Sequence, residues 1–500
     1  MPRRRAHHPR RRGRGRRPAR PHRPDPHHAL EGLPRAAPAP HPAGRPEGAP
    51  RRHADVLPGA RLGPGGLARV DADPARPRLV RVGHRGDRHV ARPCRRAASG
   101  AGVLPARARP DLPVTTPPAG APRTLALVGD ATGGFESVPE VLARLVALEG
   151  ARGGALCVYH QGRVVVDVTV GDYAPDGLQL VFSVSKALTA LVAARAHERG
   201  ELDLDAPLAE HWPELARPAT AAITARMVLG HRSGLASLDR DLTLEEVLAG
   251  ADDAEIARQQ PYWEPGTAHG YHAFTFGTLM NGLFRRALGT SVGEALQRHV
   301  AEPVGAEVWL GAPTTVHSRV ERIDPSPAAT TAHRAEWAAA SGIPGSTTAR
   351  IARFRDLYND PALWAACLPS TSGIASARGL AAVFSAALDG RTLLGHDALA
   401  RLLRPEAEGV DRVLGVPIAF GSGVQLPFPQ LPLLGPGSFG HEAAGGSAVA
   451  ADPASGLVVA WTTPKSPAMV GASATFLGIL ATLRHCLERR RPHPAPTKGD

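Results

Sequence analysis

Apolar residues follow two different periods along this chain, and the changes of period divide it. Val141, Leu142, Leu145, Val146 and Leu148 recur at helical spacing, and Gly150 closes the stripe. Ser137-Val138-Pro139-Glu140 just before them has capping-box spacing, with Pro inside the first turn. The period then drops to two. Val166, Val168 and Val170 alternate with Asp167 and Thr169. Segments 155–160 and 163–170, joined through Gln161-Gly162, therefore predict a hairpin with one buried face. Between Phe182 and Leu399 the spacing is mostly helical, broken by long loops. Strands return after Phe439, where 447–451 and 457–463 flank the turn Asp452-Pro453-Ala454-Ser455-Gly456. A last helix sets Phe476, Leu480, Leu483 and Leu487 on one face and ends in basic residues before Pro492. The order predicts an α+β fold. The two end segments share one antiparallel sheet, covered by the first and last helices, with a large helical insertion between them.

Composition changes this picture at one end only. Residues 1–120 hold 27 Arg, no Lys and 8 acidic residues, a net of +19, whereas the remainder carries −6. The same stretch has 22 of the 49 Pro, and the first aromatic of the chain is Phe135. Such a segment has too little apolar surface to offset its chain entropy. It is read as a disordered or spuriously translated Arg/Pro-rich leader, of the kind GC-rich DNA yields in an unintended frame. A nucleic-acid-binding arm is the alternative, and nonspecific adhesion is the expectation in either case. A 121–134 linker, one folded domain over 135–491 and a disordered 492–500 tail follow. Four scattered cysteines without a CxxC pair point to reduced thiols in a cytoplasmic protein. No apolar run is long enough for a membrane span, and none follows the arginine pairs as an export signal requires.

The chain contains three lysines, and one of them completes Ser183-Val184-Ser185-Lys186 at the start of an apolar helix. Positions i and i+3 share a helix face, so the amine can reach the serine hydroxyl. A serine becomes a useful nucleophile when a neighbouring base takes its proton. A lysine buried beside a helix N-terminus can lose its charge and act as that base. His269-x-x-His272 has metal spacing but no third ligand nearby, so no metal and no cofactor are expected. His231 reads as a structural hydrogen-bonding residue. The acidic run Asp239, Asp241, Glu245, Glu246, Asp252, Asp253, Glu255 reads as a solvated helical face.

Further elements stand in order after the Ser-x-x-Lys: Gly200-Glu201-Leu202-Asp203-Leu204-Asp205-Ala206-Pro207, His211-Trp212-Pro213-Glu214-Leu215, and Gly230-His231-Arg232-Ser233-Gly234-Leu235. Trp263-Glu264-Pro265-Gly266-Thr267 leads into Tyr271-His272-Ala273, and Phe439-Gly440-His441-Glu442-Ala443-Ala444-Gly445-Gly446-Ser447 opens the C-terminal strands. Over about residues 130–490 the chain resembles the serine beta-lactamase-like hydrolases, the fold of class C beta-lactamases, penicillin-binding proteins and a branch of esterases. The resemblance implies that Ser183 is acylated, that Lys186 accepts its proton and that Tyr271 passes a proton to the leaving group, aided by positive charge on Lys186. It further implies an oxyanion hole from the N–H groups of Ser183 and Ala444, with His441, Ala443 and Gly445 along the substrate. Two departures narrow the activity. Ala273 replaces the Asn of the family's Tyr-x-Asn, and His441-Glu442-Ala443 replaces Lys-Thr-Gly. Both lost groups, an amide and a cation, orient a lactam, and the sequence around Tyr271 is most similar to the esterase branch. A methyl at Ala443, where Gly is usual, is expected to crowd the acyl pocket. The expectation is a serine esterase acting on a small-molecule ester. A beta-lactamase, a D-amino-acid peptidase or an acyltransferase of the same fold is the alternative, and a non-catalytic binding protein a further one.

Overall fold

The computed structural model describes residues 124–325, 343, 350–466 and 473–490. The expected leader and the 492–500 tail lie outside them. In chain order the elements used below are β1 (Leu127–Ala131), α1 (Val138–Leu148), β2 (Gly153–His160), β3 (Arg163–Gly171), β4 (Gln179–Leu180) and α2 (Val184–Glu198). They continue with α3 (Thr275–Leu288), β5 (Val308–Leu310), β6 (Gly373–Ala375), α4 (Ala377–Leu388), β7 (Ala407–Val410) and β8 (Pro417–Phe420). β9 (Phe439–Glu442), β10 (Ala448–Asp452), β11 (Leu457–Thr462) and α5 (Ala474–Arg490) close the fold.

The main sheet has six strands in the order β1-β3-β2-β11-β10-β9, antiparallel throughout. N-terminal β2 and C-terminal β11 are direct neighbours, as the pattern of the two ends predicts. The β2–β3 turn is Gln161-Gly162, with φ of +52° and +73°. Positive φ at both positions matches the twist of a two-residue hairpin.

Side-chain alternation sends the strands' apolar residues to two cores. Val166, Val168, Leu156, Val459 and Trp461 pack with Leu142 and Val146 of α1 and Phe476, Ile479, Leu480 and Leu483 of α5. Cys157, Val449, Val458 and Ala460 face the other way, toward α2 and α4. Because both faces are covered, β11 is buried along its whole length and reads as an unbroken apolar run. Helix α2 is buried all round from Val184 to Ala194, which is why it has no polar stripe.

The structure departs from the sequence expectations at four places. The folded part begins before Phe135, because β1 lies inside the presumed linker and pairs with β3 from Leu127↔Val170 to Ala131↔Val166. β1 is an edge strand with exposed side chains, held by main-chain bonds that leave no alternation to read. Ser137 makes no side-chain cap bond; it sits in helical geometry, with Oγ 3.9 Å from Cys486 Sγ. The insertion is not purely helical, since it holds a small β4-β6-β5 sheet and the β7–β8 hairpin. Asp252 and Asp253 are buried rather than solvated: Asp252 accepts from Thr278 Oγ1 at 2.8 Å, and Asp253 meets Arg285 and Arg286 at 2.8 Å each.

Candidate active site

Ser183 stands at the N-terminus of α2, and the residue before it is under backbone strain. Phe182 has φ of +43°, the left-handed region that non-glycine residues rarely adopt. Its ring is buried edge-on against Tyr358 at 5.0 Å, so packing holds the turn. Val184 N–H donates to Val181 O at 3.1 Å and Ser185 N–H to Phe182 O at 2.9 Å, and the helix starts abruptly. Ser183 remains half-exposed, whereas Val184, Ser185 and Lys186 are buried.

Lys186 has no exposed surface. Its Nζ donates to the main-chain carbonyls of Ala273 and Ser370, each at 3.0 Å, and lies 3.4 Å from Ser183 Oγ. Burial disfavours the charged amine and holds it well below its usual range. A neutral amine has two N–H donors and one lone pair. With both donors committed to carbonyls, the lone pair is left for the Ser183 hydroxyl proton. Tyr271 O–H donates to the same Ser183 Oγ at 2.7 Å. Burial raises the phenol above its ordinary range, and the bond to Ser183 opposes this only in part. In the resting site burial therefore acts against the acidified phenol that a charged lysine would give. Two buried groups with no counter-ion are both most stable uncharged.

The strand residues lie as follows. His441 of β9 pairs in register with Val449, on the sheet face of α2, with its ring 6.3 Å from that of Tyr271. Its Nδ1–H donates to the Glu442 carbonyl at 2.7 Å, which assigns the lone pair to Nε2. Burial pushes the imidazole down to about 3. A neutral ring thus occupies the position where the family carries a cation. Ala443 is 3% exposed, its methyl inside the core cluster of α2. Its N–H donates to Ser447 O at 2.9 Å. Ala444 is half-buried, and neither its N–H nor that of Ser183 has an intramolecular acceptor among the described residues. Gly445 packs against Phe182 and the Lys465 carbonyl, where a Cβ would come within 2.9 Å of that oxygen. It holds the turn below Ala444.

The sequence reading missed several residues here. The Ser370 carbonyl is one, because main-chain groups carry no sequence signal. Glu442 is another, paired with Ala448 on the opposite face of β9 from His441. Its carboxyl is buried, one oxygen lacks a partner, and burial pushes it up to about 7. Of the histidine pair, His269 has a buried Nε2 without a partner, whereas both nitrogens of His272 are engaged. His272 donates from Nδ1 to Gly270 O at 2.6 Å and places Nε2 2.7 Å from Ser233 Oγ. His231 is fully buried, as a structural role requires.

Residues 138–483 match the family model Beta-lactamase. Over 375 residues the chain is 31% identical to the esterase/beta-lactamase LipL of Mycobacterium tuberculosis (strain ATCC 25618 / H37Rv), spanning 68% of this chain and 83% of that protein. A family VIII carboxylesterase of known structure superposes with a TM-score of 0.64 at 26% identity, over 72% of this chain and 100% of its own. EstA from Arthrobacter nitroguajacolicus Rue61a does so with a TM-score of 0.64 at 29% identity, over 73% of this chain and 100% of its own. The sheet shared by the two chain ends and the helical insertion are features of that common fold. With most of its length under one family model, the chain belongs to the beta-lactamase family of serine hydrolases.

Proposed function

We propose that this hydrolase is a carboxylesterase that works through an acyl-enzyme on Ser183. The observation that carries the proposal is the chain Tyr271 O–H to Ser183 Oγ to Lys186 Nζ, with both lysine N–H groups held by carbonyls. Ser183 Oγ attacks the ester carbonyl as its proton passes to the Lys186 lone pair, and the carbonyl electrons move onto oxygen. The N–H groups of Ser183 and Ala444 receive that oxyanion; one such donor is worth about a hundredfold in rate or more. Lys186 is now an ammonium beside the phenol, with Nζ 4.8 Å from the Tyr271 ring centre. This new charge favours phenolate, so Tyr271 gives its proton to the departing alkoxide and is reprotonated by Lys186. Water then attacks the acyl-enzyme and loses its proton along the same groups.

Ester specificity rests on what lines the tyrosine and the strand. Ala273 supplies only its carbonyl, and it spends that on Lys186. His441 is neutral and presents a lone pair. Neither offers the amide or cation that would hold a lactam amide and carboxylate. LipL is named both esterase and beta-lactamase, which keeps beta-lactam turnover as the second reading. Cys157, Cys367 and Cys486 are free thiols, which supports a reducing, cytoplasmic setting. The test is a fluorophosphonate probe read by intact mass. One adduct is expected, lost in Ser183→Ala together with turnover of a short-chain nitrophenyl ester. Activity persisting within about tenfold in that variant would remove Ser183 as nucleophile.

A further inference from the structure

The backbone around Tyr271 is gripped at three consecutive N–H groups. Gly270 N–H donates to the His231 carbonyl at 3.0 Å, Tyr271 N–H to Asp411 Oδ1 at 3.0 Å, and His272 N–H to His231 Nδ1 at 3.1 Å. All five residues are buried. Asp411 has no exposed surface and lies in the turn between β7 and β8, 140 positions from the tyrosine it holds. The same Oδ1 also accepts from Val413 and Leu414 N–H, each at 2.8 Å, so the carboxyl is itself fixed by its turn. The hairpin ends in Phe420, whose ring lies 6.2 Å from that of Tyr271 and within 14° of parallel. The His231 ring packs at 4.9 Å from that of Tyr271 and at 4.4 Å from that of Phe420, from a backbone with φ of +58°.

We propose that Asp411, together with His231, is a positioning residue for Tyr271. Its carboxyl oxygen anchors the tyrosine N–H, and the phenol hydroxyl is thereby kept at 2.7 Å from Ser183 Oγ. The inference rests on the proton-transfer role of Tyr271 proposed above. A tyrosine has two side-chain torsions, so a shift of its backbone is carried to the hydroxyl almost undiminished. Misplacing a reacting group by one ångström costs up to about a hundredfold in rate. Asp411 and His231 act only through the residue they hold.

The experiment compares Asp411→Ala, Asp411→Asn, Tyr271→Phe and the Asp411→Ala/Tyr271→Phe double variant in the full chain, on a nitrophenyl ester and an alkyl ester of the same acid. Asp411→Ala is expected to lower kcat by about tenfold or more, with KM changed less than about twofold. The loss is larger on the alkyl ester, whose leaving group needs the proton. Asp411→Asn keeps an oxygen acceptor and recovers kcat to within about threefold of the parent. In the Tyr271→Phe background Asp411→Ala costs nothing further. Should Asp411→Ala not fold, Asp411→Ser carries the same comparison, since its hydroxyl can cap the 413–414 turn without reaching Tyr271 N. Losses that multiply in full, equal losses on both esters, or an Asn variant as slow as the Ala variant would overturn the positioning role. Tyr271→Phe leaving both esters unaffected would instead remove the role of the tyrosine, and this inference with it.

Discussion

Replacing Glu442 by Gln is expected to stabilise the protein increasingly as pH rises. The carboxyl has an ordinary value of 4.5 and is pushed up to about 7 by burial, opposed only by a bond from Gln425. A carboxyl raised on folding costs nothing below its unfolded value. The cost grows as the unfolded chain releases its proton and the folded one keeps it, and it is complete above the folded value. The folded state thus loses about 1.4 kcal/mol per pH unit across the interval, and about 3 kcal/mol in total. At pH 5 the penalty is about 1 kcal/mol and at pH 8 about 3 kcal/mol, so the gap between variant and parent widens by about 2 kcal/mol. Any fixed difference from placing an amide at this site is the same at both pH values and drops out. Other titrating groups cancel in the same subtraction. The assay is urea unfolding of Glu442→Gln and parent at pH 5, 6, 7 and 8, read by tryptophan fluorescence. A gap constant within about 0.5 kcal/mol would mean that Glu442 ionises in the folded protein as it does in water, and the burial reasoning would be wrong.

Tyr271→Phe keeps the ring contacts with Phe420 and His231 and loses only the hydroxyl. Acylation should slow by about a hundredfold or more. The melting temperature should move by less than about 4 °C, because one hydrogen bond to a half-exposed serine is lost; an unchanged pH–rate profile would remove the tyrosine from proton transfer. The kcat/KM ratio of a nitrophenyl ester to a cephalosporin should strongly favour the ester, and parity would favour the beta-lactamase reading. A chain starting at residue 121, which retains β1, should match the full chain in melting temperature and esterase rate. A drop of several degrees would mean that the leader docks on the hydrolase. Nucleic-acid adhesion of the +19 leader should fade steeply with salt in a binding titration, and the truncated chain should show none.

What was legible in the sequence shares one property: its signal is local. The Gln161-Gly162 turn, the stripe of the last helix and the Ser183–Lys186 spacing are each written in one short run of sequence. What was illegible depends on distant partners. Asp253 looks solvated until Arg285 and Arg286, 32 and 33 positions on, fold over it. Ser137 has the chemistry of a cap, but in helical geometry its hydroxyl lies toward Cys486 instead, 349 positions away. For Lys186 the sequence offered reach and the possibility of an uncharged amine, but not the Ala273 and Ser370 carbonyls that enclose it, 87 and 184 positions away.

The pairing of β2 with β11 also fixes when this enzyme can come into being. Thr463 Oγ1 donates to Gly153 O across 310 residues, so the sheet cannot close until β11 has left the ribosome. Until then β2 and β3 form a hairpin with one open apolar face and an unpaired edge, the kind of species that aggregates or recruits chaperones. Folding is accordingly ordered by synthesis: α2 emerges early, yet the turn that carries Ala444 follows Ser183 by 261 positions. Activity in a cell extract therefore reports completed synthesis as well as folding. The way around the delay is visible in the helices that cover the sheet. α1 and α5 lie side by side, with Leu145 against Gly478. A circular permutant that links these helices and opens the chain at an exposed loop of the insertion would make β2 and β11 near neighbours in sequence. It would reach the same fold with far less loop closure, and so faster.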